Sequence, residues 1–522
     1  MNRHFRQIKF DSEAKAALME GVAEVAKAVS ITLGPRGSTV VIQDPTNPWL
    51  PPKTTKDGVT VAKSIDYKDN YKSMGAKLAI SASAKTVDEE GDGTTTSMIL
   101  THAIASNGVN ALEGSTMSPF ELAREIQYQA EAVCQKLDSY AIQVKDDWEK
   151  LHQVAMISTN GDKVLSDLII SGFKQVGVNG LVNVMLGKGV DSELILKDGM
   201  RVNRGWKSNF FVNNPKQMTC EFEKAFVVVT DNRLASVDEL IPAFEQMQKQ
   251  GRPVIVVCKE ITGEALSLMA VNARKLNQQG NQFSMCAVEV GGNMDLLGDI
   301  AAFTGATVIA QETGIELKNF KIDEHAGICD VHVSNKETIL KGGNQNTISP
   351  RVVQIQGLLE DEEGPIEKQN LEERIARLTS GVAEIHVGSY TANQASEKKD
   401  RADDALGSVK AAIEGGVVAG GGVMYYYLAK DLSDGVLKDS LEAPLDRLME
   451  SFGVDTIDLD QDDYNYCFNF STGEYGDALE MGVIDPVNVL KSALRNAASA
   501  ASNIITCSCV IANEEENNVG GA

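Results

Sequence analysis

The character of the sequence changes twice along its 522 residues, and this change limits the folds that the chain can adopt. The first 140 residues are predicted to be mainly helical, and a similar Ala- and Gly-rich helical pattern returns after about residue 400. Between them lie short apolar, β-branched-rich runs separated by amphipathic helical stretches, at 226–229, 253–258, 285–290 and 307–310. Alternating strands and helices favour a parallel sheet covered by helices. The sequence therefore predicts a discontinuous helical domain built from both chain ends, with an α/β block inserted.

Caps and glycines predict where the helices begin and end. Asp11 or Ser12 can cap a helix whose apolar side chains recur at spacings of three and four residues, namely Ala14, Leu18, Val22, Val25 and Val29. This helix is predicted to end at Leu33-Gly34-Pro35, a second helix near Gly91, and a third helix to begin at about Thr95. Residues 355–380 are predicted to form a charged helical hairpin broken near Gly364-Pro365.

The charge balance excludes two classes of partner. Lys and Arg number 49 and Asp and Glu 73, so the formal charge is −24, which argues against general binding of nucleic acid or of anionic membrane surfaces. The first residues have no apolar core of a signal peptide, and the uncharged run 496–513 is too polar to span a bilayer. Eight scattered cysteines without a dense framework fit a reducing compartment, so a cytoplasmic location is predicted.

One glycine-rich motif lies between two predicted helices, Gly91-Asp92-Gly93-Thr94-Thr95-Thr96. Its glycines allow a tight turn and close approach to a ligand, and the following amides open a helix, where phosphate binds favourably. Asp92 is a hard oxygen ligand suited to Mg²⁺. The alternative interpretation is a glycine turn with a threonine N-cap, and the motif alone does not decide between them.

Further polar turns carry less information by themselves. Thr32–Gly37 and Lys56-Asp57-Gly58 are short turns, and the first is more often a helix stop than a site. The paired acids Asp403 and Asp404 could orient a water or hold a metal, although such pairs usually form a solvated helix face. Asp485 could cap the next helix or accept hydrogen bonds from a ribose.

The stretch 415–422 leads into a further predicted helix, and the three consecutive glycines at its end, 420–422, are costly unless the backbone approaches something closely. Neither a P-loop motif nor a Rossmann glycine motif occurs. His325, Cys329 and His332 have the spacing of metal ligands, but a strand at 329–333 would point Cys329 and His332 to opposite faces, so no metal site is predicted. Cys507 and Cys509 share one face of an apolar strand and are predicted to pack in the core.

Taken together and in this order, these motifs resemble those of group I chaperonins, the GroEL-like proteins. The matching stretches are TLGPRG at 32–37, TKDGVTVA at 55–62, GDGTTT at 91–96, DDAL at 403–406, EGGVVAGGG at 414–422, and EYG with MGVIDP around 474–486. Weaker matches are RGW at 204–206, GEAL at 263–266 and LEERIARL at 371–378. The resemblance covers essentially the whole chain.

The resemblance implies a multidomain α and α/β fold, a GroEL-like chaperonin subunit. It implies a helical equatorial ATP-binding domain at 1–140 and 415–522, an intermediate hinge domain at 141–197 and 383–414, and an α/β apical client-binding domain at 198–382. Such proteins are homo-oligomeric seven-membered rings that bind non-native polypeptides and hydrolyse ATP. ATP and Mg²⁺ are thus the implied cofactors, with K⁺ as a candidate second cation.

The resemblance also assigns roles to individual residues. Asp92 corresponds to the Mg²⁺ ligand, Asp404 to the residue that arranges the attacking water, and Asp57 lies near the γ-phosphate. The residues assigned to the phosphates and their turn are Thr32, Leu33, Gly34, Pro35, Gly93, Thr94, Thr95 and Thr96. Gly421 and Asp485 correspond to ribose and base-edge contacts. Asn469 aligns with a base contact, while Phe470 stands where the family usually has a small residue, so a reshaped adenine pocket is predicted.

Apolar positions in the middle of the chain correspond to the surface that binds unfolded clients. They are Trp206, Phe210, Phe211, Leu240, Ile241, Phe244, Leu266, Ala270 and Val271. The alternative is that these apolar stripes pack on the sheet, and each helix is predicted to have one stripe inward and another exposed.

The sequence departs from the family where rings pair. Asp446 stands where a basic residue is common, and its partner position is still acidic, as Asp455; further acids follow at Asp458, Asp460, Asp462 and Asp463. Ala392 and Gly415 also replace acids that usually form salt bridges. Like charges across a two-fold contact repel, so single rings or weakly paired double rings are predicted.

Three hypotheses of function remain at this point. The first is an ATP-dependent folding chamber, with the need for a co-chaperonin left open. The second is a ring scaffold or holdase with little productive ATP cycling, against which the retained Asp57, Asp92 and Asp404 argue. The third is a metabolic ATP-dependent transferase, for which no small-molecule pocket motif is present.

Overall fold

The computed structural model describes residues 6–44, 47, 49, 51–178, 180–215, 217–236, 238, 240–278, 284–310, 312–362, 364–379, 381–459 and 463–513. The chain divides into two compact units. The first comprises Met1–Ser171, Val184–Glu193 and Ile385–Ala522, and the second comprises Gly172–Asn183 and Leu194–Glu384. The first unit thus draws on both ends of the chain. The implied subdivision of that unit into equatorial and hinge domains stays a prediction.

The N-terminal third is largely helical. Its elements are β1 (Arg6–Phe10), α1 (Asp11–Ser30), β2 (Val40–Ile42), β3 (Lys53–Thr55), α2 (Gly58–Ser64), α3 (Asn70–Glu90), α4 (Thr94–Leu112), α5 (Pro119–Tyr140), α6 (Trp148–Ser158) and α7 (Lys163–Val176).

The middle of the chain alternates strands and helices. Its elements are β4 (Leu181–Leu186), β5 (Glu193–Val202), β6 (Cys220–Leu234), α8 (Ile241–Gln250), β7 (Val254–Ile261), α9 (Gly263–Gln278), β8 (Met285–Glu289), α10 (Met294–Thr304), β9 (Val308–Ile309), α11 (Ile322–His325), β10 (Gly327–Val333), β11 (Thr338–Lys341), α12 (Gln345–Asp361), α13 (Pro365–Thr379) and β12 (Gly381–Val387). Two short 3-10 helices occupy Asn209–Phe211 and Leu317–Asn319.

The C-terminal part returns to helices with short strands between them. Its elements are α14 (Ala392–Gly415), β13 (Val417–Ala419), α15 (Val423–Lys430), α16 (Val436–Leu441), α17 (Ala443–Phe452), β14 (Tyr466–Asn469), β15 (Glu474–Asp477), α18 (Ala478–Met481), β16 (Ile484–Pro486), α19 (Val487–Thr506) and β17 (Cys509–Asn513).

The core of the first unit forms where small residues let helices approach one another. A Cβ at Gly75 of α3 would lie 2.0 Å from the carbonyl oxygen of Leu18 in α1, so only glycine fits there. The apolar stripe predicted for α1 is buried throughout, from Ala14 to Val29. Among the described residues, β1 with β17 and β13 with β16 pair parts of the chain that are far apart in sequence, while β2 with β3 and β14 with β15 are local pairs.

The sheet of the second unit is mixed, and this corrects the predicted parallel sheet. The four predicted strands do pair in parallel, β7 with β6 and β8, and β9 with β6. On the other side of β6, however, β10, β11 and β5 follow in antiparallel order. The sequence analysis predicted β10 as a strand at 329–333 but not its antiparallel pairing, and it did not predict β11 or β5. Burial alternates along β10, as is typical of a strand with one solvated face. The predicted hairpin at 355–380 is confirmed as α12 and α13.

All eight cysteines are free thiols, and six of them are buried. Cys509 is exposed and Cys507 is half-buried, so the prediction that this pair packs in the core is wrong. In the part of the chain that the structure describes, no helix is both long enough and apolar enough to cross a membrane.

Candidate functional site

A cavity of about 960 Å³ in the first unit brings together residues that are far apart in sequence. Its lining contains every residue to which the resemblance gave a nucleotide, metal or water role. These residues are Thr32, Leu33, Gly34, Pro35, Asp57, Asp92, Gly93, Thr94, Thr95, Thr96, Asp404, Gly421, Asn469, Phe470 and Asp485.

The turn between α3 and α4 has a backbone that requires glycine. Gly91 ends α3 with φ 79°, and Gly93 precedes α4 with φ 91°, both in the left-handed region. A Cβ at Gly91 would lie 2.6 Å from the Cα of Gly407 in α14. The N-cap of α4 is Gly93 and makes no side-chain cap bond, so the threonine N-cap alternative does not hold. Gly93 and the three threonines of the first turn of this 19-residue helix therefore line the cavity.

Asp92 is held by hydrogen bonds on both carboxylate oxygens. The backbone N–H of Gly93 donates to Oδ1 at 2.6 Å, and the Ser158 hydroxyl donates to Oδ2 at 3.2 Å. The Ser408 hydroxyl also donates to Oδ2, and the two serine oxygens are 2.9 Å apart. Burial nevertheless raises the pKa of Asp92 above its ordinary value, and the nearby Asp57 carboxylate acts in the same direction.

Asp404 lies on α14, one turn before Ser408, and faces the same cavity. Burial raises its pKa well above the usual range, and the charges of Asp92 and Asp57 raise it further. Asp57 caps α2, accepting hydrogen bonds from the N–H groups of Val59 at 3.0 Å and Thr60 at 2.9 Å. Three carboxyl groups in one partly desolvated cavity repel one another, and a divalent cation among them would relieve that repulsion.

A divalent cation fits this donor set in one specific way. Among the described residues, no group of three or more His, Cys, Asp or Glu side chains is arranged to enclose a metal by itself. Mg²⁺ usually binds proteins through one or two carboxylates and completes its shell with water and substrate phosphates. Asp92, beside a helix N-terminus suited to phosphate, matches that pattern.

Asp485 of β16 also lines the cavity, and β16 pairs with β13. Val418 pairs with Asp485, and a backbone hydrogen bond from Gly421 reaches the Asp485 carboxylate. Burial raises the pKa of Asp485 to about 6, although that hydrogen bond lowers it. The N-cap residue of α19 is Pro486 and makes no side-chain cap bond, so Asp485 does not serve as the helix cap.

Phe470 is buried in an aromatic cluster at the edge of the cavity. Its ring packs edge-on against Phe452 and Phe468, with centroids 6.0 and 5.1 Å away. The Asn469 carboxamide oxygen accepts a hydrogen bond from the N–H of Ser471 at 2.9 Å, which shapes the turn after β14. Phe470 thus belongs both to this aromatic cluster and to the lining of the cavity.

The sequence analysis missed several residues that line or organise the cavity. The hydroxyls of Ser158 and Ser408 were not singled out, because an isolated serine in a helix carries no local signal.

Arg36 was also missed: its guanidinium lies 3.7 Å from the centroid of the Phe452 ring and donates to the Phe452 carbonyl oxygen at 3.1 Å. Lys56 and Lys163 are further lining cations.

The predicted client residues, all in the second unit, divide by exposure. Phe211, Leu240 and Ala270 are buried, at 0%, 1% and 5% exposed, because their side chains form part of the core on the sheet. They are therefore not part of an exposed surface, and the interpretation of these three as surface contacts is corrected. Phe210, Ile241 and Val271 are exposed, and the remaining predicted residues are half-buried, namely Trp206, Phe244 and Leu266.

Comparison with known proteins agrees with this architecture. The chain matches the TCP-1/cpn60 chaperonin family over residues 25–515. Two crystal forms of the chaperonin gp146 from the bacteriophage EL 2 (Pseudomonas aeruginosa), both in the presence of ATP-BeFx, are similar in structure over 97% of this chain and 99% of that chain. Sequence identity is 24% with a TM-score of 0.71 for form II, and 23% with a TM-score of 0.64 for form I.

These matches confirm the predicted fold class and the resemblance from which it came. Because the family match extends over nearly the whole chain, the protein belongs to the TCP-1/cpn60 chaperonin family.

Proposed function

We propose that this protein is an ATP-dependent molecular chaperone that captures non-native polypeptides and promotes their folding in a ring-shaped chamber. One observation carries the proposal: Asp57, Asp92 and Asp404 come from three separate stretches of the chain and line one cavity beside the N-terminus of α4. Phosphoryl transfer depends mainly on positioning and charge neutralisation, which such a cavity can provide.

In this proposal, the phosphates lie against the first turn of α4 and the Thr32–Gly34 turn. Asp92 would hold Mg²⁺, which would neutralise the developing phosphate charge. The hydroxyls of Ser158 and Ser408 fix the Asp92 carboxylate. Asp485 and Gly421 contact the ribose and base edge, with Phe470 as an apolar wall. K⁺ is a candidate second cation.

Asp404 orients the attacking water and accepts its proton. A base must be ionised, yet burial raises the pKa of Asp404 and the charges of Asp92 and Asp57 raise it further. Positive charge bound near Asp92 would lower that pKa and so favour the carboxylate form of Asp404. A bound metal ion would therefore make Asp404 a more effective base.

We further propose a homo-oligomeric, seven-membered ring in a reducing cytoplasm, with single rings favoured or double rings weakly paired. The acidic surface on α17 supports weak pairing. Burial raises the pKa of Glu442, and the charges of Asp446 and Asp439 raise it further, as expected where acids crowd together. Asp455, Asp458 and Asp463 add negative charge after α17. Asp460 and Asp462 lie outside the described residues.

The decisive experiment is ATP-dependent recovery of a denatured, aggregation-prone client by the full chain. Asp404→Ala should nearly abolish hydrolysis while nucleotide still binds, and Asp92→Ala should weaken Mg-nucleotide binding itself. The matched control is Asp403→Ala, because Asp403 pairs with Lys399 at 2.5 Å and does not line the cavity.

Wild-type turnover in Asp404→Ala, or equal losses in Asp403→Ala and Asp404→Ala, would contradict the assignment. Suppression of aggregation without ATP-dependent recovery by the wild-type protein would favour the holdase alternative. Recovery without a partner protein would show that no co-chaperonin is needed.

A further inference from the structure

An exposed apolar patch in the second unit carries a fixed positive charge. Phe210 is 44% exposed and Val271 of α9 is 64% exposed. The guanidinium carbon of Arg274 lies 5.3 Å from the centroid of the Phe210 ring, within the range of a cation–π contact. Val271 and Arg274 are three residues apart on α9, so their side chains share one helix face. We call Phe210, Val271 and Arg274 the cationic patch.

Phe210 is held at the surface by its surroundings. The Ser208 hydroxyl accepts a hydrogen bond from the N–H of Phe210 at 3.4 Å, capping the short 3-10 helix. The next residue, Phe211, is fully buried and anchors that helix in the core. The indole N–H of Trp206 donates to the carbonyl oxygen of Met218 at 3.2 Å and closes the loop. The aromatic ring is therefore presented to solvent in a defined place.

Among the described residues, Arg274 has no acidic partner of its own. It is exposed, and within the described part of the chain no carboxylate forms an ion pair with it. By contrast, Lys207 in the same region pairs with Glu289 at 2.8 Å. A guanidinium lying over an aromatic ring keeps its N–H edge available, and that edge matches a carboxylate in bidentate geometry.

We propose that the cationic patch selects, among non-native chains, extended segments in which an acidic side chain lies next to an apolar or aromatic one. The apolar side chain would pack on Phe210 and Val271 while the carboxylate pairs with Arg274. This inference rests on the proposed client-binding function and names the chemistry of its clients. The net charge of the chain is −24 and repels acidic segments in general, and the local positive charge of Arg274 would offset that repulsion at the cationic patch.

The test uses the nucleotide-free full-length protein and three fluorescent peptides with identical apolar residues. The residues flanking the central Phe are Glu in one peptide, Gln in the second and Lys in the third. Anisotropy titrations at about 0.1 M ionic strength, where the Debye length is about 10 Å, give the dissociation constants. We expect the Glu peptide to bind about three- to tenfold more tightly than the Lys peptide.

Arg274→Gln should reduce that preference to less than about twofold, and Arg274→Glu should reverse it. The matched control is Lys275→Gln, because Lys275 is the next cation on α9 and points about 100° away around the helix. It should keep the wild-type preference. Both sites are exposed, and circular dichroism with sedimentation checks that each variant keeps its fold and assembly.

Equal affinity of the wild-type protein for the three peptides would overturn the inference while leaving client binding intact. A preference that survives Arg274→Gln, or one lost equally in Lys275→Gln, would also overturn it, since the effect would then be general electrostatics. If even the Gln peptide fails to bind and a denatured client is not captured, the proposed client function itself fails.

Discussion

Gly407→Ala tests whether the backbone contact between α14 and the Gly91 turn sets the geometry of the candidate site. A Cβ at Gly407 would lie 2.6 Å from the Cα, 2.8 Å from the carbonyl carbon and 2.9 Å from the carbonyl oxygen of Gly91. All three atoms are backbone, so no side chain can rotate away. An ordinary contact begins at 3.4 Å, so α14 and the turn must separate by about 0.8 Å.

The expected cost follows from that displacement. Overpacking of this kind typically lowers the free energy of unfolding by about 1–3 kcal/mol. Asp404 and Ser408 lie on α14 on either side of Gly407, and Asp92 follows Gly91 directly. The shift therefore changes the distance between Asp404 and Asp92, and a misplacement of about 1 Å can reduce turnover about 100-fold.

The assay is steady-state ATP turnover together with a denaturation midpoint. The control is Gly357→Ala in α12, where an added Cβ meets nothing within 4 Å, so turnover should not change and stability should rise slightly. Wild-type turnover in Gly407→Ala, with an unchanged midpoint, would refute the reasoning that this contact positions the site.

Three further predictions follow from contacts and charges in the first unit. Ser408→Ala should weaken Mg-nucleotide affinity about tenfold or more in a fluorescent nucleotide titration, because a hydrogen bond to the Asp92 carboxylate is lost. The control is Ser440→Ala, which removes a buried hydroxyl bonded to the Val436 carbonyl oxygen and should leave the affinity unchanged. Equal effects of the two variants would argue against a role of Ser408 in holding Asp92. Burial raises the pKa of Asp485 to about 6, so its contribution to stability is present below its unfolded pKa of about 3.9 and is lost as pH rises through about 6. This pH dependence of the denaturation midpoint should vanish in Asp485→Asn. If it persists in that variant, Asp485 is not the group responsible. Asp446→Lys should increase the fraction of double rings in sedimentation at low salt, and no change would show that this charge does not limit pairing.

Sequence reasoning succeeded where periodicity and glycine chemistry were strong. The stripe from Ala14 to Val29 defined α1, and the glycines around Asp92 predicted a turn that opens α4. It predicted β10 as a strand but missed β11 and the antiparallel place of both in the sheet, because strand order depends on long-range pairing that no local pattern encodes.

The site was predicted by resemblance more than by local pattern. Asp57, Asp92 and Asp404 are about 35 and more than 300 residues apart, so a single sequence could not bring them together on physical grounds alone. The hydroxyl of Ser408 acquires its importance only from the close approach of two glycines. The sequence also did not predict the burial of Phe211 and Leu240, since an apolar residue in or next to a helix that packs on a sheet can face the sheet or the solvent.

The arrangement of the thiols makes the protein suitable for site-specific labelling without cysteine engineering. Burial raises the pKa of Cys134 to about 11 and of Cys258 to about 12, so these side chains remain protonated and shielded near neutral pH. Cys509, on the exposed face of the ribbon formed by β1 and β17, is the most exposed of the eight thiols, while Cys507 is half-buried. A maleimide dye would therefore attach first at Cys509 and report from that ribbon while the sheet of the second unit stays unmodified.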